Sequence, residues 1–239
     1  MTTELYLSRA RLRASRGEAL SAIAPLLIPD DPKQQAGHAH RVLWLLFQDI
    51  PDAKRDFLWR DEGDGKYMIL SPRSPTDPHH LFDLETKPFA PNLKPGDRLA
   101  FSLRANPVVA RKQARTADVL ERHGPRARGQ KVDVVMDALK SVRPQQRASV
   151  RNAIAAKAGT EWLEKQGASS GFTLSAPPLI DGYAQQPVEL RNGRPAGFSV
   201  LNMSGVLEVT DPQVFLARLS KGFGSAKAFG NGLMLIRRG

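Results

Sequence analysis

The order of predicted helices and strands in the first half of the chain is the feature that most limits its fold. Four segments are predicted as strands from an alternating pattern or a flanking turn: residues 5–13, 56–61, 66–71 and 98–105. A helix is predicted from about residue 40 to 48, where Leu43, Leu46 and Phe47 recur at helical spacing before Pro51. The proline-rich residues 72–95 are predicted to be mostly irregular. This order of elements is that of a ferredoxin-like domain.

The second half of the chain has a similar order of elements. They are two helices, a strand-rich region, a third helix and a last strand, predicted at residues 132–140, 145–166, 172–209, 212–222 and 233–236. Thr210 or Asp211 can cap the third helix, which is expected to bury Val214, Phe215 and Leu219. The element order alone therefore predicts a second domain of the same kind.

The predicted fold class is α+β, with two tandem ferredoxin-like (βαββαβ) domains. The first domain is expected over residues 1–108 and the second over residues 132–239. Residues 109–131 are predicted as a basic linker or arm, since residues 104–131 contain eight Lys or Arg against two acidic residues.

The surplus of positive charge points to a polyanionic partner. The chain carries 35 Lys and Arg against 24 Asp and Glu, a formal net charge of +11. Basic side chains that neutralise phosphates release condensed counterions, which favours nucleic acid over a surface kept basic only for solubility. No cysteine is present, which excludes disulfides and cysteine-based zinc sites. The N-terminal arginines do not fit a signal peptide, so we expect a cytoplasmic protein without membrane association.

A glycine-rich segment separates the last predicted helix from the last strand. Four glycines and Lys227 lie within residues 222–232. The segment is neither a dinucleotide-binding fingerprint nor a P-loop, because the glycine and Gly-Lys-Ser/Thr positions of those motifs are not filled. Backbone N–H groups and Lys227 could hold a phosphate here, although a glycine loop is more often only a tight turn.

The glycine-rich segment Gly-Phe-Gly-Ser-Ala-Lys-Ala-Phe-Gly-Asn-Gly-Leu resembles the C-terminal signature of CRISPR repeat-processing endoribonucleases. Further segments are similar to the CasE family, the nuclease of type I-E Cascade: residues 6–8, 43–47, 55–59, 101–107 and 205–211. The matches span the chain, and their order and spacing are more specific than any one of them.

The resemblance implies two ferredoxin-like domains that bind the stem-loop of a repeat RNA. A basic hairpin of the second domain is then expected in the major groove of the stem. The 2′-hydroxyl would attack its own phosphate at the stem base without a metal or other cofactor. The products would be a 2′,3′-cyclic phosphate (or 3′-phosphate) and a 5′-hydroxyl, and the guide RNA would stay bound and assemble with the other Cascade subunits.

The resemblance also assigns catalytic residues. The family histidine precedes the last phenylalanine of the Leu-Trp-x-x-Phe helix by seven residues, which is His40 here. Imidazole titrates near operating pH and suits the base or the acid. At a helix start, the macrodipole would keep His40 neutral. Arg41 could stabilise the charge of the phosphorane, or it could be a solvated helix residue.

One position departs from the family pattern. A tyrosine often stands three residues before the family histidine, and Gly37 occupies that place here. His38 is the nearest substitute and could divide the acid and base roles with His40, or it could be a loop residue. The general acid therefore stays open.

Three groups of residues are expected to bind RNA. Arg191 and Arg194 flank the turn Asn-Gly and would enter the groove of the stem, or they could be ordinary solubility charges at a hairpin tip. The glycine-rich segment would hold the backbone near the cut through Lys227, Gly224 and Gly230. Weaker candidates lie in and before the basic arm: Arg104, Arg111 and Lys112.

Other readings of the sequence remain open. The main alternative is a subunit that holds the repeat hairpin without cutting it, which Gly37 would permit. A DNA-binding or ribosome-associated protein is a more distant alternative. A metal-dependent nuclease is disfavoured, because no clustered carboxylates suited to two metal ions are found in the sequence.

Overall fold

A computed structural model describes residues 4–13, 32–50, 54–111, 130–189 and 195–238. Within these ranges the helices are α1 (Pro32–Trp44), α2 (Val134–Leu139), α3 (Arg147–Ala168) and α4 (Pro212–Lys221). The strands are β1 (Tyr6–Leu12), β2 (Leu58–Gly63), β3 (Lys66–Ser71), β4 (Phe82–Pro88), β5 (Arg98–Ala105), β6 (Val108–Arg111), β7 (Gln130–Asp133), β8 (Phe172–Leu174), β9 (Leu179–Glu189), β10 (Pro195–Val209) and β11 (Met234–Arg238). Short 3₁₀ helices cover Leu45–Phe47, Pro144–Gln146 and Lys227–Phe229.

The first sheet is antiparallel and has the strand order β2-β3-β1-β4. The predicted β2–β3 hairpin is confirmed, and Ala10 of β1 lies opposite Tyr67 of β3. The prediction that residues 72–95 are mostly irregular missed β4. That strand has a weak hydrophobic pattern, because Phe82 is its one buried residue.

The second sheet is also antiparallel, with the order β11-β5-β10-β8 and β9 paired along β10. Residues 98–105 do form a strand, β5, but the expectation that it completes the sheet of the first half is wrong. Phe101 of β5 lies between Gly205 of β10 and Ile236 of β11. The first sheet instead takes β4 as its last strand, so the two sheets are joined by residues 89–97.

Residues 109–131 were expected to be a linker, but both ends of this segment are paired. β6 and β7 form a two-stranded ribbon with Arg111 opposite Gln130. The residues between them, which include Lys112, lie outside the described residues.

Helices cover one face of each sheet. The core of the first half joins Leu43 of α1 and Phe47 of the following 3₁₀ helix to Trp59 and Ile69 of the sheet. The core of the second half contains Trp162 of α3, and Phe215 and Leu219 of α4. As predicted, Asp211 caps α4, accepting from the N–H groups of Gln213 and Val214, but Val214 is 43% exposed rather than buried.

The opposite faces of the two sheets meet each other. Leu58 and Leu70 of the first sheet form a buried cluster with Leu233, just before β11. Arg60 of β2 donates from Nη1 to Ser102 Oγ of β5 at 2.8 Å. The contact places α1 and the glycine-rich segment on neighbouring parts of the molecule. Every helix in the described ranges is too short or too polar to cross a lipid bilayer.

Candidate functional site

His40 lies in the second half of α1, and aromatic side chains pack beside its ring. Its ring centroid lies 6.2 Å from that of Trp44 and 6.1 Å from that of Phe57. Phe57 in turn stacks on Phe47 at 4.5 Å. This fixed and half-buried position suits a residue whose orientation matters.

The expectation that His40 starts a helix is wrong. The helix α1 covers Pro32–Trp44, so His40 lies far from its first turn, where the positive end of the macrodipole would act. The first residues of α1 are polar and have no hydrophobic period, which explains why the predicted helix begins only at about residue 40. The macrodipole therefore supplies no reason for a neutral imidazole.

The other residues predicted on α1 differ in exposure. His38 is half-buried and Arg41 is exposed. Helical geometry separates His38 from His40 by about 200° around the axis, so the two side chains leave the helix in nearly opposite directions. At Gly37, a Cβ atom would meet no heavy atom of the described residues within 4 Å. The place where the resemblance puts a tyrosine is thus open on the side that the structure describes.

The glycine-rich segment is clamped between β5 and β2. The Ser225 N–H donates to Asn106 O at 3.0 Å, just after β5. Gly224 has φ +73°, and a Cβ there would lie 2.5 Å from the same Asn106 O. A Cβ on Gly230 (φ +77°) would lie 2.9 Å from the Trp59 ring. These two glycines therefore allow a close approach to protein atoms, and this approach fixes the position of Lys227.

Lys227 lies among cations. It is half-buried, and its Nζ donates to Lys221 O at 2.6 Å. Burial lowers its pKa, and the positive charges of Arg218, Arg55 and Lys131 lower the pKa further. All the charged groups that shift the pKa of Lys227 are therefore cations, which makes this region attractive to an anion.

Arg55 and Arg218 are the functional candidates that the sequence analysis missed. Burial lowers the pKa of both guanidinium groups. Arg55 Nη1 and Arg218 Nε are buried atoms without a hydrogen-bond partner among the described residues. Arg218 is held by Gln166 Oε1 at 2.6 Å and lies 5.0 Å above the Phe223 ring. Arg55 stands in a segment that carries the resemblance, but no local pattern marks Arg218.

The structure brings the helix of His40 to the segment of Lys227. Helix α1 contacts the 3₁₀ turn Lys227–Phe229 and also strand β9. The candidate site therefore places the helix that carries His40 beside cations from both halves. In the described part of the chain, no group of three or more His, Asp or Glu side chains is placed to hold a metal ion.

The remaining predicted residues are placed differently. Arg104 is half-buried on β5 and its Nη2 donates to Gln186 Oε1 at 3.4 Å. Arg111 is paired with Asp137, through Nε to Oδ2 at 2.9 Å, and holds the pKa of that carboxyl below its usual range. Arg191 and Arg194 lie outside the described residues, although β9 and β10 pair up to Glu189 and Pro195 on either side of them.

The protein is thus of mixed helix and strand structure, with two main antiparallel sheets. Cations surround the place where α1 contacts the 3₁₀ turn of Lys227. A family model described as CRISPR associated protein matches residues 5–238. The chain belongs to this family of CRISPR-associated proteins, as a member of its CasE branch.

Similar proteins agree with this assignment. The CRISPR-associated endoribonuclease Cse3 of Thermus thermophilus is 33% identical over 160 residues, which are 63% of this chain and 60% of that protein. The Cascade subunit CasE of Escherichia coli is 26% identical over 205 residues, 82% of this chain and 89% of that protein. A structure of Cse3 bound to a 19-nucleotide RNA superposes with a TM-score of 0.63 at 26% identity, covering 99% of this chain and 100% of that one.

Proposed function

We propose that this protein is a metal-independent endoribonuclease that cleaves stem-loop CRISPR repeat RNA and stays bound to the product as a Cascade subunit. The observation that carries the proposal is the contact between the helix of His40 and the segment of Lys227, beside Arg55 and Arg218. The names of the relatives support it, since one is an endoribonuclease, another a Cascade subunit, and a similar structure holds RNA.

The proposed reaction needs a base, an acid and positive charge. The 2′-oxygen forms a bond to phosphorus while the bond to the 5′-oxygen breaks. His40 takes the proton of the 2′-hydroxyl or gives one to the leaving oxygen. Lys227 and Arg55 stabilise the additional negative charge of the phosphorane. His38 leaves α1 in nearly the opposite direction to His40, so we expect another group to be the partner of His40 in proton transfer.

Two tandem ferredoxin-like domains are the proposed frame for RNA binding. When β8 and β9, which both pair with β10, are counted as one strand, the strands of each sheet numbered in chain order lie in the order 4-1-3-2, which supports the proposal. We place the division at residues 89–97, after β4. The RNA stem would then be held by the basic residues outside the cleavage site: Arg104, Arg111, Lys112, Arg191 and Arg194.

The test compares wild type with His40→Ala on a labelled stem-loop repeat RNA in EDTA, with cleavage and gel shift scored together. We expect one cut at the stem base by wild type, and binding without a cut by the variant. Cleavage that depends on added divalent metal, or equal cleavage by the variant, would overturn the mechanism. Binding without cleavage by both proteins would favour the non-catalytic RNA-holding subunit, which Gly37 in the tyrosine position makes the second candidate.

A further inference from the structure

A cavity of about 630 Å³ opens beside the glycine-rich segment, at the base of the β6–β7 ribbon and next to β9 and β10. Its volume is within the range of small-ligand sites, roughly 300–1,000 Å³. Its lining includes two aromatic rings, two cations, a carboxylate and a hydroxyl: Tyr183, Phe198, Lys131, Arg151, Asp133 and Ser199.

The polar wall of the cavity is already satisfied by its own hydrogen bonds. Asp133 accepts from the Tyr183 hydroxyl at 3.0 Å, from the Met136 N–H at 2.7 Å and from Ser199 Oγ. Burial, with the nearby Asp133 charge, raises the pKa of Tyr183 to about 12, so this phenol stays neutral. A ligand therefore meets a rigid aromatic ring and a compensated carboxylate.

The cavity adjoins the proposed cleavage site. The ring centroid of Phe198 lies 5.4 Å from that of Phe229, the last residue of the 3₁₀ turn that begins at Lys227. Ser225 of the glycine-rich segment also lines the cavity. Lys131 lines the cavity and is also close enough to the cleavage site for its charge to lower the pKa of Lys227.

Aromatic faces beside cations fit a nucleotide. Bases stack on aromatic side chains and phosphates attract cations, and the exposed Lys131 and Arg151 can meet a phosphate. A base inside a duplex stem has both faces covered by its neighbours, so an unpaired nucleotide suits this cavity better than a paired one.

We propose that the cavity takes one unpaired nucleotide of the RNA next to the stem, with its base against Phe198 and Tyr183 and its phosphate towards Lys131 and Arg151. The inference rests on the proposed function, because it requires a stem-loop RNA at the neighbouring site.

The experiment compares a bare stem-loop RNA with the same stem-loop carrying unpaired flanks, one flank position at a time holding 2-aminopurine. Both RNAs carry a 2′-deoxynucleotide at the proposed cut, because cleavage would otherwise release a flank. Wild type is expected to bind the flanked RNA more tightly by a factor of roughly 5 to 150, the range for one stacked base. The 2-aminopurine fluorescence should fall at one flank position on binding. Phe198→Ala should lose both effects and bind the bare stem-loop as wild type does, whereas Phe198→Tyr should keep them.

The outcomes separate the two proposals. A flank advantage that is equal in wild type and Phe198→Ala overturns the nucleotide pocket and leaves the proposed function intact. Failure of wild type to bind either RNA overturns both. Unchanged binding of the bare stem-loop also shows that Phe198→Ala has kept its fold.

Discussion

The clamp on the glycine-rich segment predicts an unequal response to two chemically identical substitutions. Gly230 and Gly63 both have a left-handed backbone, at φ +77° and +84°. A Cβ on Gly230 would lie 2.9 to 3.2 Å from three atoms of the Trp59 ring, whereas a Cβ on Gly63 would meet no described atom within 4 Å. The substitution of Ala at Gly63 is therefore a matched control for backbone strain alone.

The expected magnitudes follow from these contacts. Either substitution costs about 1–2 kcal/mol, because a side chain disfavours the left-handed conformation. Trp59 is only 1% exposed and cannot swing away, so Gly230→Ala adds an overpacking cost of about 1–3 kcal/mol. Gly230→Ala should thus lower the free energy of unfolding by about 2–5 kcal/mol, against about 1–2 kcal/mol for Gly63→Ala.

Urea denaturation followed by tryptophan fluorescence would measure both values, and single-turnover cleavage of the stem-loop RNA would measure the effect on the site. We expect Gly230→Ala to slow cleavage under conditions where it is still folded, because the displaced segment carries Lys227. Gly63→Ala should cleave at the rate of wild type. Equal losses of stability in the two variants would refute the claim that Trp59 clamps this segment.

Three further expectations concern α1 and the cations. Gly37→Ala should raise the free energy of unfolding by about 1 kcal/mol, since glycine is a poor residue inside a helix, and denaturant titration that showed a loss would contradict the open space there. The pKa of Lys227 is lowered in the folded protein, so just below the usual lysine pKa of 10.5 the unfolded chain binds more protons than the folded one. In that window the free energy of unfolding of wild type should therefore rise with pH relative to that of Lys227→Met. Urea midpoints of the two proteins that run parallel from pH 8 to 10.5 would contradict this. Arg55→Gln should reduce the slope of log affinity for RNA against log salt by about 1, and an unchanged slope would remove Arg55 from the phosphate contacts.

Local signals predicted much of the fold from the sequence. The turn between β2 and β3 and the Asp211 cap of α4 depend on neighbouring residues, and both are confirmed. The partner strands of β5 were not predictable in this way, because an alternating pattern fixes which face is buried but not which strand lies alongside. The exposed edge strand β4 had too little hydrophobic pattern to be recognised.

The candidate site was predictable only in part, for a related reason. Lys227 carries a local signal in its glycine-rich surroundings. Arg55 becomes a neighbour of Lys227 only when the two halves pack together, and the cavity beside Phe198 forms only when β9, β10 and the β6–β7 ribbon meet. Sequence spacing contains no information about such long-range contacts.

The position of β11 has a consequence for the order in which the protein is made. The first sheet is complete once residue 88 has been synthesised, but the central strand β5 of the second sheet must wait for β11 at Met234–Arg238. Domains fold as units during synthesis, N-terminal first. We expect nascent chains that end before β11 to have His40 in a protease-resistant first half and yet to lack any cleavage of RNA. His40 then reaches its folded position before Lys227 does. A ribosome-bound chain is therefore expected not to cleave RNA until translation of β11 is finished.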